Sequence, residues 1–169
     1  TVVARGTGVD LAISKKQTAD YTAMVSGKAV TESDAPKIYI MPNPVNERLS
    51  FHETVNRAES VSRALGNGNL TTLFVEEVAY QKAALEEMRR RMLPVKAMRP
   101  GTDKRARLET VSGYIEQGTI LFPRHGCEDL IMQLVGFGIE YHDDLMDAFC
   151  YCIMGLARQG IRKQEIVWL

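Results

Sequence analysis

Three groups of acids sit where a soluble chain seldom keeps them. Asp10 lies between Val9 and Leu11, inside a stretch from Val2 to Ile13 that is apolar, β-branched in places and broken by Gly6 and Gly8. A carboxylate in a central strand costs several kcal/mol unless something positive compensates it. The plainer alternative is a buried aspartate bonded to a turn. Glu76 and Glu77 close the apolar run from Thr71 to Val78, and ligands of open α/β sheets gather beyond the carboxyl ends of strands. Strand alternation puts these two glutamates on opposite faces, so one of them points into a site, and the spacing leaves open which. Asp143 and Asp144 open the last helical stretch, where aspartates ordinarily cap. Asp147, one turn on, shares a face with one of them. From Glu128 to Asp147 there are six acids and no Lys or Arg.

Acids drawn from separate elements to one corner of a sheet repel each other and call for cations. Oxygen donors without cysteine or histidine suit Mg²⁺ or Mn²⁺ rather than zinc. Two such ions about 4 Å apart can bridge a phosphate, one activating a water and the other stabilising a leaving 3′ oxygen.

Residues 89 to 107 contain eight cations and a single acid, Asp103. Arg89, Arg90 and Arg91 read as a solvated helix face paired with Glu86 and Glu87. Lys96, Arg99, Lys104 and Arg105 fall on a strand end, its following loop and the start of the next helix, and read as phosphate contacts. There is no G-x-x-x-x-G-K-[ST] run, and Gly6-Thr7-Gly8 lacks the third glycine of a dinucleotide fingerprint. Cys127, Cys150 and Cys152 make an odd, small set that argues for a reducing compartment. Two helix steps set Cys150 and Cys152 roughly 200° apart, so they read as buried free thiols rather than a shared metal site. His52, His125 and His142 are too scattered for zinc.

The elements that must position these residues follow from periodicity. Strands are predicted from Val2 to Ile13, Tyr21 to Val30 and Lys37 to Met41, with a turn from Ser14 to Asp20. Ser50-Phe51-His52-Glu53 fits a capping box, and Phe51, Val55, Ala58, Val61 and Leu65 form an apolar stripe stopped by Gly66. A strand from Thr71, a helix from Tyr80 to Met92 ended by Pro94, and a strand from Val95 to Met98 come next. Helices are predicted over Asp103–Gln117, Glu128–Phe137 and Asp143–Arg158, with a short extended piece from Thr119 to Phe122. This order predicts an α/β domain: a mixed five- to six-stranded sheet, opened by an antiparallel hairpin pair, with helices on both faces.

The 169 residues suit a single domain. Forty-five per cent hydrophobic and 25% charged residues allow a sizeable core. Twenty-one cations balance 21 acids, which excludes a polybasic protein but not a local basic face. No run approaches the ~20 apolar residues of a membrane span, and no signal peptide is expected.

Taken in order, several motifs resemble the nuclease domain of phage terminase large subunits. Gly8-Val9-Asp10-Leu11-Ala12 and Thr18-Ala19-Asp20-Tyr21-Thr22-Ala23 resemble its first strand and hairpin. Val75-Glu76-Glu77-Val78-Ala79-Tyr80-Gln81 resembles its second acidic motif. Asp103-Lys104-Arg105-Ala106-Arg107, followed by Gly118 to Pro123, is similar to its basic helix and short strand. His142-Asp143-Asp144-Leu145-Met146-Asp147-Ala148 resembles its third acidic motif. The resemblance implies an RNase H-like fold and a metal-dependent endonuclease that cuts concatemeric viral double-stranded DNA around packaging. It implies Asp10, Glu76 and Asp144 as catalytic metal ligands, Asp143 as a further ligand, and two Mg²⁺ or Mn²⁺ ions. Asp20 falls at a recurring family position. In a full-length protein the implied partners are double-stranded DNA, the small terminase subunit, the portal and the protein's own ATPase motor, in the host cytoplasm and without a membrane. Residues 1–169 are expected to be the nuclease domain alone, the motor being absent. Two rivals stand beside this reading: a Holliday-junction resolvase or transposase-like nuclease of the same fold, and a non-catalytic RNase H-like interaction module.

Overall fold

The computed structural model describes residues 1–12, 21–32, 35–78, 81–99, 103–139 and 142–161. The predicted turn from Ser14 to Asp20, with Asp20 itself, and Tyr80 lie outside them. The elements are β1 (Val2–Asp10), β2 (Thr22–Glu32), β3 (Ala35–Ile40), β4 (Val45–Glu47), α1 (Phe51–Leu65), β5 (Thr72–Glu76), α2 (Lys82–Arg90), β6 (Val95–Met98), α3 (Lys104–Glu116), β7 (Ile120–Leu121), α4 (Glu128–Val135) and α5 (Asp144–Leu156), the last continued by a π-helical turn, Ala157–Ile161.

Seven strands form one mixed sheet in the order β6-β5-β1-β2-β3-β7, with β4 also on β2. β1, β2 and β3 run antiparallel, the opening hairpin pair expected from the sequence. β5 joins β1 in parallel, β6 joins β5, and β7 joins β3. The strand the sequence did not announce is β4. It is three residues long and pairs only with the start of β2, too short for any period to show.

The two faces of the sheet bury separate layers. On one, Val9, Leu11, Met24, Leu73 and Val75 pack with Val55 and Ala58 of α1 and Leu85 and Met88 of α2. On the other, Val25, Ile38, Ile40 and Phe74 meet α5 through Leu145, Phe149, Ile153 and Leu156, with Val111 of α3 and Leu130 of α4. Cys127, Cys150 and Cys152 are free and buried, and burial pushes the Cys150 and Cys152 thiols up to about 12. Met92, the last residue of the predicted second helix, lies beyond its observed end at φ 60° and is exposed, and Leu93 turns inward instead.

α1 begins as its sequence demands. Ser50 Oγ accepts the Glu53 N–H at 3.3 Å, and Glu53 Oε2 accepts the Ser50 N–H at 2.7 Å. Ser50→Ala removes half of this box. It is expected to cost about 1 kcal/mol and lower Tm by roughly 2–4 °C, read by thermal denaturation, with no change at the distant acidic corner. An unchanged Tm would show that the cap contributes nothing.

Candidate active site

Asp10 is the last residue of β1 and Glu76 the last of β5, its parallel neighbour, so both arrive at one edge of the sheet. The pleat decides which way they face. Gly8 faces α5, because a Cβ there would lie 1.9 Å from Ala148 O. Asp10, two residues on, shares that face. Phe74 packs in the α5-side layer, and Glu76 shares its face. Glu77 turns away. Its N–H donates to Met98 O at 2.9 Å, and its carboxylate accepts from Arg99 Nε at 2.8 Å, which holds it below the usual carboxylate range. Glu76, not Glu77, therefore stands beside Asp10.

The first turn of α5 supplies the remaining acids. Burial, then the negative charges of Asp147, Asp144 and Glu76, push the Asp10 carboxyl well above its ordinary value; Lys104 opposes this without offsetting it. Burial also raises Asp144 and Asp147. Asp147 Oδ1 is buried without a hydrogen bond, and Arg107 Nη2 approaches it only to 3.5 Å.

Asp143 occupies the N-cap position of α5, yet its side chain makes no cap bond. It pairs instead with the Lys104 ammonium, which also reaches Asp147 Oδ2 at 2.6 Å. Burial lowers the Lys104 pKa, but its bonds to the two aspartates prevail and raise it. The start of α5 is held from α4: buried Gln133 Oε1 accepts the N–H of Leu145 at 3.0 Å and of Met146 at 3.3 Å. Orphan amides of the first turn are thus satisfied without a carboxylate. Beneath the corner, Tyr151 is buried, and burial followed by its interaction with the Glu76 carboxylate drives its hydroxyl upward. Arg107 lies 5.7 Å from the Tyr151 ring centroid.

Of the residues read from the sequence, Asp10, Glu76 and Asp144 share one corner, with Asp143 reaching it through Lys104. Asp147, left without a role by the sequence, exerts the strongest charge effect on Asp10; its spacing of three from Asp144 was the available signal. Gln133 carried no signal, and Arg107 was visible only as part of the basic stretch and its motif. Among the four cations read as phosphate contacts, Lys104 sits among the acids, Arg99 pairs with Glu77, and Arg105 is exposed on α3. Lys96 lines a cleft with Arg5, at the other end of the sheet. Among the described residues no three carboxylate, imidazole or thiol side chains close around one point tightly enough to grip a single ion. On the β2 side, Tyr21 meets His142 edge-on at 5.3 Å, and the Arg48 guanidinium lies 5.1 Å from the Tyr21 ring centroid.

No helix among the described residues is long and apolar enough to cross a membrane. No curated protein matches the chain. Its fold is similar to the large terminase nuclease of thermophilic phage G20c with bound magnesium, at TM-score 0.67 and 14% identity, over 89% of this chain and 80% of that one. It is also similar to the large terminase nuclease domain of bacteriophage SPP1 with bound manganese, at TM-score 0.59 and 10% identity, over 90% and 86% of the two chains. The family model described as the terminase RNaseH-like domain matches residues 7–156. The chain therefore belongs to the terminase RNase H-like domain family, and it is a nuclease, a hydrolase acting on DNA.

Proposed function

We propose that this domain is the endonuclease that cuts concatemeric viral double-stranded DNA during genome packaging, using Asp10, Glu76 and Asp144 with Asp143 as an additional ligand. The observation that carries the reading is the burial of Asp10 amid the negative charge of Asp147, Asp144 and Glu76. Carboxylates compressed in this way lower their free energy when a hard cation joins them, and Asp147 Oδ1, which receives no hydrogen bond and only a 3.5 Å approach from Arg107, has coordination to spare. The donor set suits two Mg²⁺ or Mn²⁺ ions, and the similar nucleases from phages G20c and SPP1 hold magnesium and manganese. Bound there, such ions supply Lewis-acid stabilisation of an in-line displacement at phosphorus.

The chain's own residues do the rest. Gln133 fixes the first turn of α5 and so the direction of Asp144. Lys104 holds Asp143 and Asp147 and brings one ammonium within reach of a phosphate at the corner. Arg105, and Arg48 stacked on Tyr21, flank the corner from two sides. Neither forms an ion pair among the described residues, so their guanidinium edges are open to the DNA backbone. Arg99 follows β6 at the same edge of the sheet as the corner. The partners in the full-length protein are the small terminase subunit, the portal and the attached ATPase motor.

The test is cutting of supercoiled plasmid in Mn²⁺ by the purified chain, with products carrying 5′-phosphate and 3′-hydroxyl ends. Glu76→Gln is expected to lower the rate about 100-fold or more. Glu77→Gln, which removes only an exposed ion pair, should stay within about threefold. Equal losses in the two variants would overturn the assignment of the corner. A strong preference for branched over linear DNA would move the reading to a junction resolvase.

A further inference from the structure

We propose that the end of the sheet opposite the carboxylates carries a second binding site, for phosphate-bearing ligands, independent of the nuclease reading. A cleft of about 780 Å³ opens there between the start of β1, the starts of β5 and β6 and the end of α5. That size falls within the usual ~300–1,000 Å³ of small-ligand sites. Arg5, Lys96 and Arg158 line it, with Asn69, Thr72 and Gln159, and no Asp or Glu is among its lining residues.

The three cations lack the partners that structural cations in this protein have. Elsewhere Arg57 pairs with Glu47, Arg90 and Arg91 with Glu87, and Arg99 with Glu77. Arg5, Lys96 and Arg158 form no ion pair among the described residues. Arg5 Nε is buried without an acceptor, an arrangement that costs free energy unless a ligand or ordered solvent completes it. Across the β1–β2 ladder Arg5 stands opposite Lys28, and like charges so placed repel.

A structural role in neutralising the nearby end of α1 does not account for them. Three carbonyls of the last turn are already taken: Ser62 O by the Gly66 N–H at 3.2 Å, Arg63 O by Gly68 at 2.8 Å and Ala64 O by Asn67 at 3.4 Å. What remains is a cleft lined by three cationic residues, two of them arginines, whose guanidinium forks match phosphate oxygens bidentately. Five residue steps along β1 lead from Arg5 to Asp10, about 17 Å. No single phosphate spans both places, so a duplex engaging both would touch them about five steps apart along a strand.

The test uses the whole chain without divalent cations, titrated by calorimetry with pyrophosphate and by fluorescence anisotropy with a short DNA duplex. Arg158→Gln alters an exposed side chain and should leave Tm unchanged; Arg5→Gln is the half-buried counterpart. Pyrophosphate binding that weakens at least about fivefold in Arg158→Gln supports the site. If DNA affinity falls in parallel and its salt dependence drops by about one unit per removed charge, the ligand is the nucleic-acid backbone. If DNA affinity is unchanged, the ligand is a free phosphate compound. Pyrophosphate and DNA binding that are both insensitive to both substitutions would overturn the proposal. So would binding of polyglutamate in the absence of pyrophosphate binding.

Discussion

Asp10→Asn is expected to reduce metal-dependent plasmid cutting by at least ~10³-fold while raising, or at least keeping, the melting temperature of the metal-free protein. The rate loss corresponds to the several kcal/mol that charge stabilisation at a phosphoryl centre provides. The stability gain follows from the sign of the Asp10 shift. Its carboxyl is raised above the ordinary 3.8 by burial and by Asp147, Asp144 and Glu76. The folded state therefore holds this proton more tightly than the unfolded state. Stability from this group is complete below the ordinary carboxylate range and is lost as pH rises through the raised value. Ionising Asp10 in the metal-free fold places its charge among like charges, and the amide avoids that cost. Calorimetry across pH 4 to 8 should show the unaltered chain losing stability with rising pH more steeply than Asp10→Asn. Saturating Mn²⁺ should raise the Tm of the unaltered chain, by the equivalent of about 2.7 kcal/mol at 100 times Kd, and barely move the variant. Wild-type cutting by Asp10→Asn would remove Asp10 from the site. A Tm well below that of the unaltered chain would show that the carboxylate is structural.

Gly8→Ala should produce the largest loss of stability of any single methyl addition to the central strand. Gly8 lies between Val25 on β2 and Phe74 on β5, under the middle of α5. A Cβ there would lie 1.9 Å from Ala148 O and 2.4 Å from Cys152 N, both backbone atoms that no rotamer change can clear. Overpacking against side chains costs about 1–3 kcal/mol. Against backbone the expected cost is at least about 3 kcal/mol, a Tm drop of roughly 6–12 °C. If the chain still folds, α5 must lift from β1 and carry Asp144 and Asp147 away from Asp10, so cutting should fall as well. Gly113→Ala is the matched control. Gly113 lies within α3 with nothing within 4 Å of the added Cβ, and the change should stabilise by about 0.4–1 kcal/mol. Equal Tm values for the two variants would refute the close approach of helix and strand.

The same contact explains which features could be read in advance. Periodicity and end signals were sufficient for the elements: the Ser50–Glu53 box, the stripe on α1, the stop before Pro94 and the hairpin pair all depend on neighbours within a few residues. So did the candidate acids, because an aspartate in an apolar strand and glutamates at a strand end are visible locally. The choice between Glu76 and Glu77 was not. It needed the face of β5 to be tied to α5 through Phe74. The expected cap at Asp143 gave way for the same reason: Gln133, twelve residues before Leu145, reached the helix start first, and Lys104 claimed the carboxylate.

By itself, then, the chain's order of residues determined the strands, the helices, their mixed α/β arrangement and the acids worth watching, because each of these is written in local spacing and side-chain chemistry. Tertiary structure alone decided that Asp147 is the leading charge on Asp10, that Lys104 lies among the acids, and that Lys96 lines a cleft with Arg5 and Arg158. Those facts depend on the approach of α5 to β1 and on the pairing of β6 with β5, contacts between segments too far apart in the chain for any local pattern to encode.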